Sequence, residues 1–560
     1  MQQIKIFFKS KISMFLLLLA YTFCLKQESS FCQTWQNVSN CEHCGAFYPV
    51  VDTSNNLYVT GTYNSTLTLG ADTYTTRGSS DGIVIKYDSI GNYLWAKTFG
   101  GFNQSPKGDG GDRVGIDNQG NLIIGGRINK LSGDYDYDGT PINNLIQGDN
   151  VFTAKIASNN GSLIWQNAFY IDQGYVWQVV TDDLSNVYVS VLFSGILKIN
   201  GESIYTTYNT PLIVKYDMNG NFKWFKTLLC PNGTQISTLK YNGGGLYLGG
   251  GFNGTLTCDS QSINSNPSTS NNGYIAKIDT GGSFVKLKRL ITSTTSSSVN
   301  ILEVSKNNNI VAFCKAIGTS QIDTFNLSTS YGHGIAIKMD TSLTVKNVAI
   351  IGNMNYSILP QAIISNDSSF YLTAEYTSGG TVGDITLTGN GFFVTKIDDS
   401  LNIVWTKVAQ INNPTNTNTR AVAYLNFNNA KNSLIVSGRY QQSLTLDGYS
   451  LTGGSEFYAH ISNLSTSNNS SRFLNPTKNN IALYPNPSQS GVFNIALPKD
   501  ANSINGSAKI YNTQGQLISD VLINLASGKH SIDISSLGKG TYIIKIKADK
   551  SLYSGQIVYE

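Results

Sequence analysis

The chain has 560 residues, of which 40% are hydrophobic and only 13% charged, with 39 Lys and Arg against 35 Asp and Glu for a formal net charge of +4. Soluble proteins usually carry about a quarter charged residues, and the gap is filled here by Gly, Ser, Thr, Asn and Tyr, which suit short strands and tight turns rather than helices. Without Lys5, Lys9, Lys11, Lys26 and Glu28, all within the first 33 residues, 35 basic residues face 34 acidic ones, a balance that gives nucleic acid or anionic lipid no electrostatic hold.

Lys5, Lys9 and Lys11 precede an apolar run, Ile12 to Leu19, continued by Ala20 to Leu25. A basic stretch followed by a short apolar one reads as an export signal, removed near Ser29 to Gln33. No later segment reaches the roughly 18 apolar residues of a membrane span, so no transmembrane span is expected in the mature chain. Cys24 and Cys32 follow Phe23 and Phe31 rather than small residues, which argues against lipidation. Cys41, Cys44, Cys230, Cys258 and Cys314 remain, too few and too scattered for disulfides to build the fold.

A pattern of some 60 residues then recurs seven times. Its middle element ends in Lys, an apolar residue and Asp. The first copy is Asp81 to Asp88 around Lys86, and Lys155, Lys215, Lys277, Lys338 and Lys396 mark the next five. In the seventh, Phe457 to Ile461, His460 takes the Lys place. Upstream of each runs a strand such as Leu57 to Gly61. A short alternating piece such as Thr66 to Leu69 lies between them, and a strand often bearing Trp follows (Trp95, Trp165, Trp224, Trp405). These four elements per repeat read as one antiparallel sheet. Such a sheet cannot cover both faces alone, and seven packed radially cover one another as propeller blades.

The seventh copy lacks a Trp strand, whereas Thr34-Trp35-Gln36-Asn37 precedes the first copy and has no repeat of its own. That strand is expected to complete the last blade and remove an exposed edge. The segments Leu57 to Gly61, Asp81 to Asp88 and Gly91 to Trp95, repeated with drift, resemble the bacterial SBBP-type repeats, named for a seven-bladed β-propeller. The resemblance covers residues 34–463 and implies a fold but no single activity.

Residues 464–480 are rich in Ser and Asn and read as a linker. Leu483-Tyr484-Pro485-Asn486-Pro487 opens a further module, 481–560, whose closely spaced prolines suit a sheet edge. Strand-like runs from Val492 to Tyr559 make a small C-terminal β-sandwich. The expected fold is thus all-β: a seven-bladed β-propeller followed by that sandwich. Tyr484-Pro485-Asn486-Pro487, Tyr511 to Leu517, and Ile534 to Tyr542 with Gly540 and Tyr542 resemble, in order, the type A C-terminal sorting domain of the type IX secretion system of Bacteroidota. The resemblance implies recognition by the type IX translocon after passage through the periplasm, with release or attachment at the outer-membrane surface.

Chemistry-bearing motifs are sparse. Cys41-Glu42-His43-Cys44 has no second ligand pair and reads as a disulfide or free thiols rather than zinc. Asp134, Asp136 and Asp138 before Gly139 have the spacing of a calcium loop, but Leu145 stands where its bidentate Glu belongs. The competing reading is a polar strand and turn. No catalytic residue is assigned: the four His lie in no recognisable context, and Asp88, Asp217, Asp279, Asp340 and Asp398 recur as turn formers. The Trp series, at the same position in four of the repeats, reads as packing. Trp177 lies outside it and, with Tyr175, is the candidate ligand contact.

The function expected is a cofactor-free, non-enzymatic binding or adhesion scaffold for an extracellular glycan or protein. The alternatives are a polysaccharide hydrolase or lyase on the same scaffold, and a structural component of a surface coat.

Overall fold

The computed structural model describes residues 34–40, 49–464 and 482–560, apart from 90, 103–106, 267–270, 306, 328–331, 355–360, 365–368, 378, 412–420, 429–432, 447–448, 454–455, 463, 497–504, 512–516, 525–529 and 549–550. The expected signal segment, the Cys41 to Cys44 motif and all of the expected linker but Leu464 lie outside the described residues. The chain divides into two compact units, Met1–Asn469 and Ser470–Glu560. Every regular element among the described residues is a strand.

Side chains of opposite parity on a strand point to opposite faces. In Leu57–Tyr63 and Asp81–Tyr87 nearly every residue is buried on both. The two parities enter different cores. Tyr58 and Val84 pack with Phe99, Val114, Leu122 and Phe152, whereas Leu57, Val59, Ile83 and Ile85 pack with Ile435 from the far end of the unit. Each fully buried apolar side chain contributes about 1.5–3 kcal/mol, so neither face of such a sheet is stable in water without a neighbour.

The strands of the first unit form seven successive four-stranded antiparallel sets among the described residues. The first comprises Val50–Val51, Leu57–Tyr63, Asp81–Tyr87 and Tyr93–Gly101 in order of pairing, and the first and last strands of each set are called its inner and outer strands. Leu163–Thr181 serves two sets. Its first half is the outer strand of the second (Val151 opposite Phe169), and its second half is the inner strand of the third (Val179 opposite Val189). Thr34–Asn40 pairs antiparallel with Glu456–Ser462, Trp35 opposite Ile461, and completes the seventh set, the place its lone Trp predicts.

One expectation is corrected. In the second, fifth, sixth and seventh repeats the short piece between the second and third strands forms a hairpin that joins the outer strand of the preceding set, not its own sheet. In the first and fourth it is a separate two-stranded hairpin, and in the third it runs on within the long strands Val187–Ile199 and Glu202–Tyr216. Tyr135–Tyr137 pairs with Tyr93–Gly101, Gly380–Val382 with Val345–Met354, and Ser443–Leu446 with Ile403–Ile411. The fourth strand of each set is instead an inner one (Gly110–Ile116, Thr234–Asn242 and Ser296–Val304 are examples) that shares no residue signature with its counterparts.

Neighbouring sets are fastened by the recurring Lys. In the first, third, fourth and fifth sets its ammonium donates to the carbonyl of the second turn residue between the third and fourth strands of the next set, and in the sixth to Leu464, just after the third strand of the seventh. Lys86 reaches Ser158 (2.9 Å), Lys215 Thr280 (2.7 Å), Lys277 Thr341 (3.1 Å), Lys338 Asp399 (2.8 Å) and Lys396 Leu464 (3.1 Å). The recurring Asp shapes that turn: Asp217 Oδ1 accepts from the N–H groups of Asn219 and Asn221, both at 2.9 Å. Gly220 in the same turn has φ +85°, and a Cβ there would lie 2.7 Å from the Trp165 ring of the preceding set. Trp165 Nε1 donates to Met218 O at 3.1 Å.

In the second unit, Ala482–Tyr484, Val492–Ala496 and His530–Asp533 form one sheet. Leu517–Asn524, Asn505–Tyr511, Gly540–Ala548 and Ser551–Tyr559 form another in that order. Phe493, Ala508, Ile510, Ile532, Ile544 and Ile557 are their shared core.

Two outcomes test this account. A chain lacking residues 34–40 leaves Glu456–Ser462 as an open edge. It is expected to melt roughly 5 °C lower or more, on a scale of a few degrees per kcal/mol, and to self-associate in size-exclusion chromatography. In the turn at Asp340, the carboxyl is held below the ordinary aspartate value by the backbone N–H of Thr344 and then by Lys346. Its contribution is therefore present above the unfolded aspartate pKa and lost as pH falls through the lower folded value. Asp340→Asn should melt below the native chain at neutral pH, with the difference shrinking in acid. A gap that widens in acid contradicts this.

Candidate functional site

Four inner strands break register at one place: between Gly111 and Arg113, Val176 and Gln178, Ile236 and Thr238, and Val299 and Ile301. A bulge adds a residue and re-aims its neighbours' side chains; the additions here are Asp112, Trp177, Ser237 and Asn300. Polar groups beside the bulges tie each set to the next. Asp112 Oδ2 accepts from Val176 N (3.0 Å), Gln178 Oε1 from Leu239 N (2.7 Å), and Thr238 Oγ1 from Leu302 N (3.0 Å).

The second and third sets add charge and aromatic surface to this frame. Tyr175 and Trp177 have ring centroids 5.6 Å apart, inclined at 44°. Tyr175 is 37% exposed, and Trp177 is half-buried against the core shared by the third and fourth sets. Arg113 lies 5.7 Å from the Trp177 ring centroid and donates through Nε to Trp177 O and through Nη1 to Asp112 O (2.7 Å). Asp112 Oδ1 accepts from Arg127 Nε at 3.3 Å. Burial pushes the Asp112 carboxyl above the ordinary aspartate value, against the pull of Arg127, the Val176 N–H and Arg113. The Arg127 side chain is 40% exposed, and among the described residues Asp112 is its sole polar partner. Sequence reasoning found the two aromatics but missed Asp112, Arg113 and Arg127, which lie on or beside inner strands without a repeating signature. Their one available signal was that arginine occurs at these places without a counterpart in most other copies.

The predicted metal candidates occupy a hairpin. Tyr135–Tyr137 is a strand, and Asp138 (φ +46°) and Gly139 (φ +82°) form the two positive-φ residues of its turn, the pattern of a type I′ connection. Asp136 is engaged by Arg77, Asp138 pairs with Lys97 at 2.5 Å, and Asp134 is exposed. Asp136 and Asp138 thus face separate cations, and Asp134 faces solvent. No cluster of three or more His, Cys, Asp or Glu placed to hold a metal ion occurs among the described residues.

A second close pair of carboxylates, Asp81 and Asp109, is buried. A Cβ on Gly100 would lie 2.7 Å from Asp109 Oδ2 and 2.8 Å from Asp81 Oδ1. Burial raises the Asp81 carboxyl against the pull of Arg77. Asp109 Oδ1 accepts from Asn129 N at 2.7 Å and Oδ2 from Gly101 N at 3.0 Å. With both residues almost wholly inaccessible, the pair joins the first set to the second and faces no substrate.

In the second unit the predicted sorting motif fastens the last strand. Val558 N donates to Asn486 Oδ1 (2.9 Å), Ser488 N to Val558 O (2.8 Å) and Glu560 N to Ser488 O (2.9 Å). Both peptides preceding Pro485 and Pro487 are cis. The Tyr484 side chain is 49% exposed, and Tyr542, at the start of Gly540–Ala548, donates its hydroxyl to Gly538 O at 2.5 Å. Residues 482–560 match the family of secretion system C-terminal sorting domains.

That sorting domain places the chain with the type IX secretion system and implies export to the cell surface or secretion. No curated protein matches the sequence. Slight likenesses occur among solved structures. A Dyadobacter fermentans protein of unknown function has 8% identity over 62% of this chain and 93% of that one, with a TM-score of 0.33. Kuenenia stuttgartiensis hydrazine synthase has 13% identity over 60% and 75%, with a TM-score of 0.30. A family 32 glycoside hydrolase from Bifidobacterium adolescentis has 9% identity over 93% and 95%, with a TM-score of 0.24. At such values none bears on fold or activity. No helix among the described residues is long and apolar enough to cross a membrane.

The crowding at Gly100 yields a prediction. Gly100→Ala places a methyl group against both buried carboxylates at φ +136°, and overpacking of this kind costs about 1–3 kcal/mol. Chemical denaturation should show a lowered midpoint with unchanged slope; an unchanged midpoint contradicts the tight approach.

Proposed function

We propose that the protein is an exported surface or secreted scaffold that binds an extracellular glycan or protein and performs no catalysis. In this reading residues 1–33 are a removed signal peptide, 34–463 a seven-bladed β-propeller of SBBP type, 464–480 a linker and 481–560 the sorting domain. The observation that carries it is the C-terminal match over residues 482–560. The propeller reading is supported by seven successive four-stranded sets with the N-terminal strand in the last, and by Ile435 of the seventh set in one core with Leu57 and Val59 of the first. The binding role is favoured by the exposed Tyr175 beside Trp177 on an inner strand, since ligand sites combine aromatic surface with a few fixed polar groups. The non-enzymatic reading accords with the burial of the closely spaced carboxylates Asp81 and Asp109, which no sugar ring reaches.

Export is tested by fractionating cells that express the full chain or a chain ending at residue 481. The full chain is expected at the surface or in the medium and the truncated one inside the cell. Equal delivery of both contradicts the export reading.

A further inference from the structure

Polar side chains beside the bulges hold one set against the next. Three charged side chains, Asp112, Arg113 and Arg127, meet at the bulge of the third set's inner strand. Arg127 is held at Nε by Asp112, and Asp112 in turn holds the backbone N–H of Val176, between the two aromatic residues. One carboxylate therefore fixes a guanidinium beside the Tyr175 and Trp177 pair. Arg113 lies against the Trp177 ring and is tied to backbone carbonyls of Trp177 and Asp112, so its charge stays beside the platform. Two guanidinium groups surround one carboxylate, which leaves the cluster net positive. Arg127 keeps its terminal nitrogens without a partner among the described residues.

We infer that this cluster is a subsite for an acidic sugar, with the Tyr175 ring stacking on the pyranose and Arg127 receiving the carboxylate of a uronate residue. The inference rests on the glycan-binding form of the reading above and names its substrate class. A planar guanidinium fork matches a carboxylate through two parallel hydrogen bonds, whereas a neutral sugar leaves the charge without a counterpart. A flat, partly exposed aromatic ring is the complementary surface for the apolar face of a sugar. Arg113 acts as a positioning residue, holding the bulge and the Trp177 ring. Asp112 does the same for Arg127.

The test is calorimetric titration of the full exported chain with tetragalacturonate and tetramannuronate, each beside its methyl ester. At least one acid oligomer is expected to bind, about tenfold or more tighter than its ester, in keeping with the strength of charge-assisted hydrogen bonds, and more weakly as salt is raised. Arg127→Gln should show the same drop with either oligomer and Arg127→Lys a partial one. Tyr175→Ala should weaken binding while the melting temperature stays that of the native chain. Acid and ester bound alike, native affinity in Arg127→Gln, or binding of neither oligomer overturns the acidic-sugar subsite. The broader reading is judged separately, on a neutral glycan array: binding there that is indifferent to Arg127→Gln leaves the scaffold role standing and the subsite refuted.

Discussion

The architecture of the first unit depends on lysine ammonium groups carried from one sheet into the turn of the next. A single set of four strands, apolar on both faces, has no stable existence in water, and apolar contact by itself leaves the relative slide of two sheets poorly defined. The lysines supply direction. In the first, third, fourth and sixth sets the ammonium also sits 5.1–5.6 Å from a Tyr ring centroid of its own sheet, over Tyr58, Tyr188, Tyr247 and Tyr371. Burial lowers the affinity of Lys86 and Lys215 for their protons, a cost offset by the aromatic face and the turn carbonyl. At Thr280, Thr341 and Asp399 the acceptor follows the Asp that opens the turn, so the Asp that shapes a turn and the Lys that reads it act across adjacent sets. Lys and Asp, near neighbours in sequence, do their work on opposite sides of one sheet.

That division explains what was legible in the sequence. The Lys-apolar-Asp signature and, in four repeats, the Trp strand leave the same residues at near-regular intervals, because each answers a demand that recurs between neighbouring sets, and the unmatched Trp35 strand stands out against that pattern. The all-β character, the number of repeats and the pairing of Thr34–Asn40 with the last repeat follow from them. The inner strands answer no such recurring demand. Gly110–Ile116, Thr234–Asn242 and Ser296–Val304 share a bulge, not residues. A pattern search therefore counted the short outer pieces in their place. The destination of those pieces was equally hidden, since pairing with the preceding set is decided by distance in space and leaves no periodic mark.

The C-terminal unit shows the same relation between motif and contact. Asn486, which the sequence picks out as part of a sorting signature, and Ser488 two residues on serve locally to tie the entry of the module to Val558 and Glu560 at its last strand. A strand at the edge of a sheet is otherwise free to fray or to pair with another chain. The motif is thus structural before it is a signal. It holds the first and last strands of the module together, while the Tyr484 side chain stays exposed.

Where repetition ends, function becomes arguable. In a repeat protein the residues shared by all copies are accounted for by packing, so a binding role falls to those that occur once. Asp112 is instructive because it does both. Its Oδ2 ties the second set to Val176 N of the third, as Gln178 and Thr238, one place further along their strands, tie the following junctions through Leu239 N and Leu302 N, while its Oδ1 is spent on Arg127. A Gln or Thr suffices to cap a backbone N–H. A carboxylate there raises the cost of burial, as the upward shift of its proton affinity records. That cost has no return in joining the sets, since neutral groups do so elsewhere, and it is balanced by holding a charged group at the surface beside Tyr175. Asp112 thus differs from Gln178 and Thr238 in bringing a charge to its junction, and that charge holds Arg127.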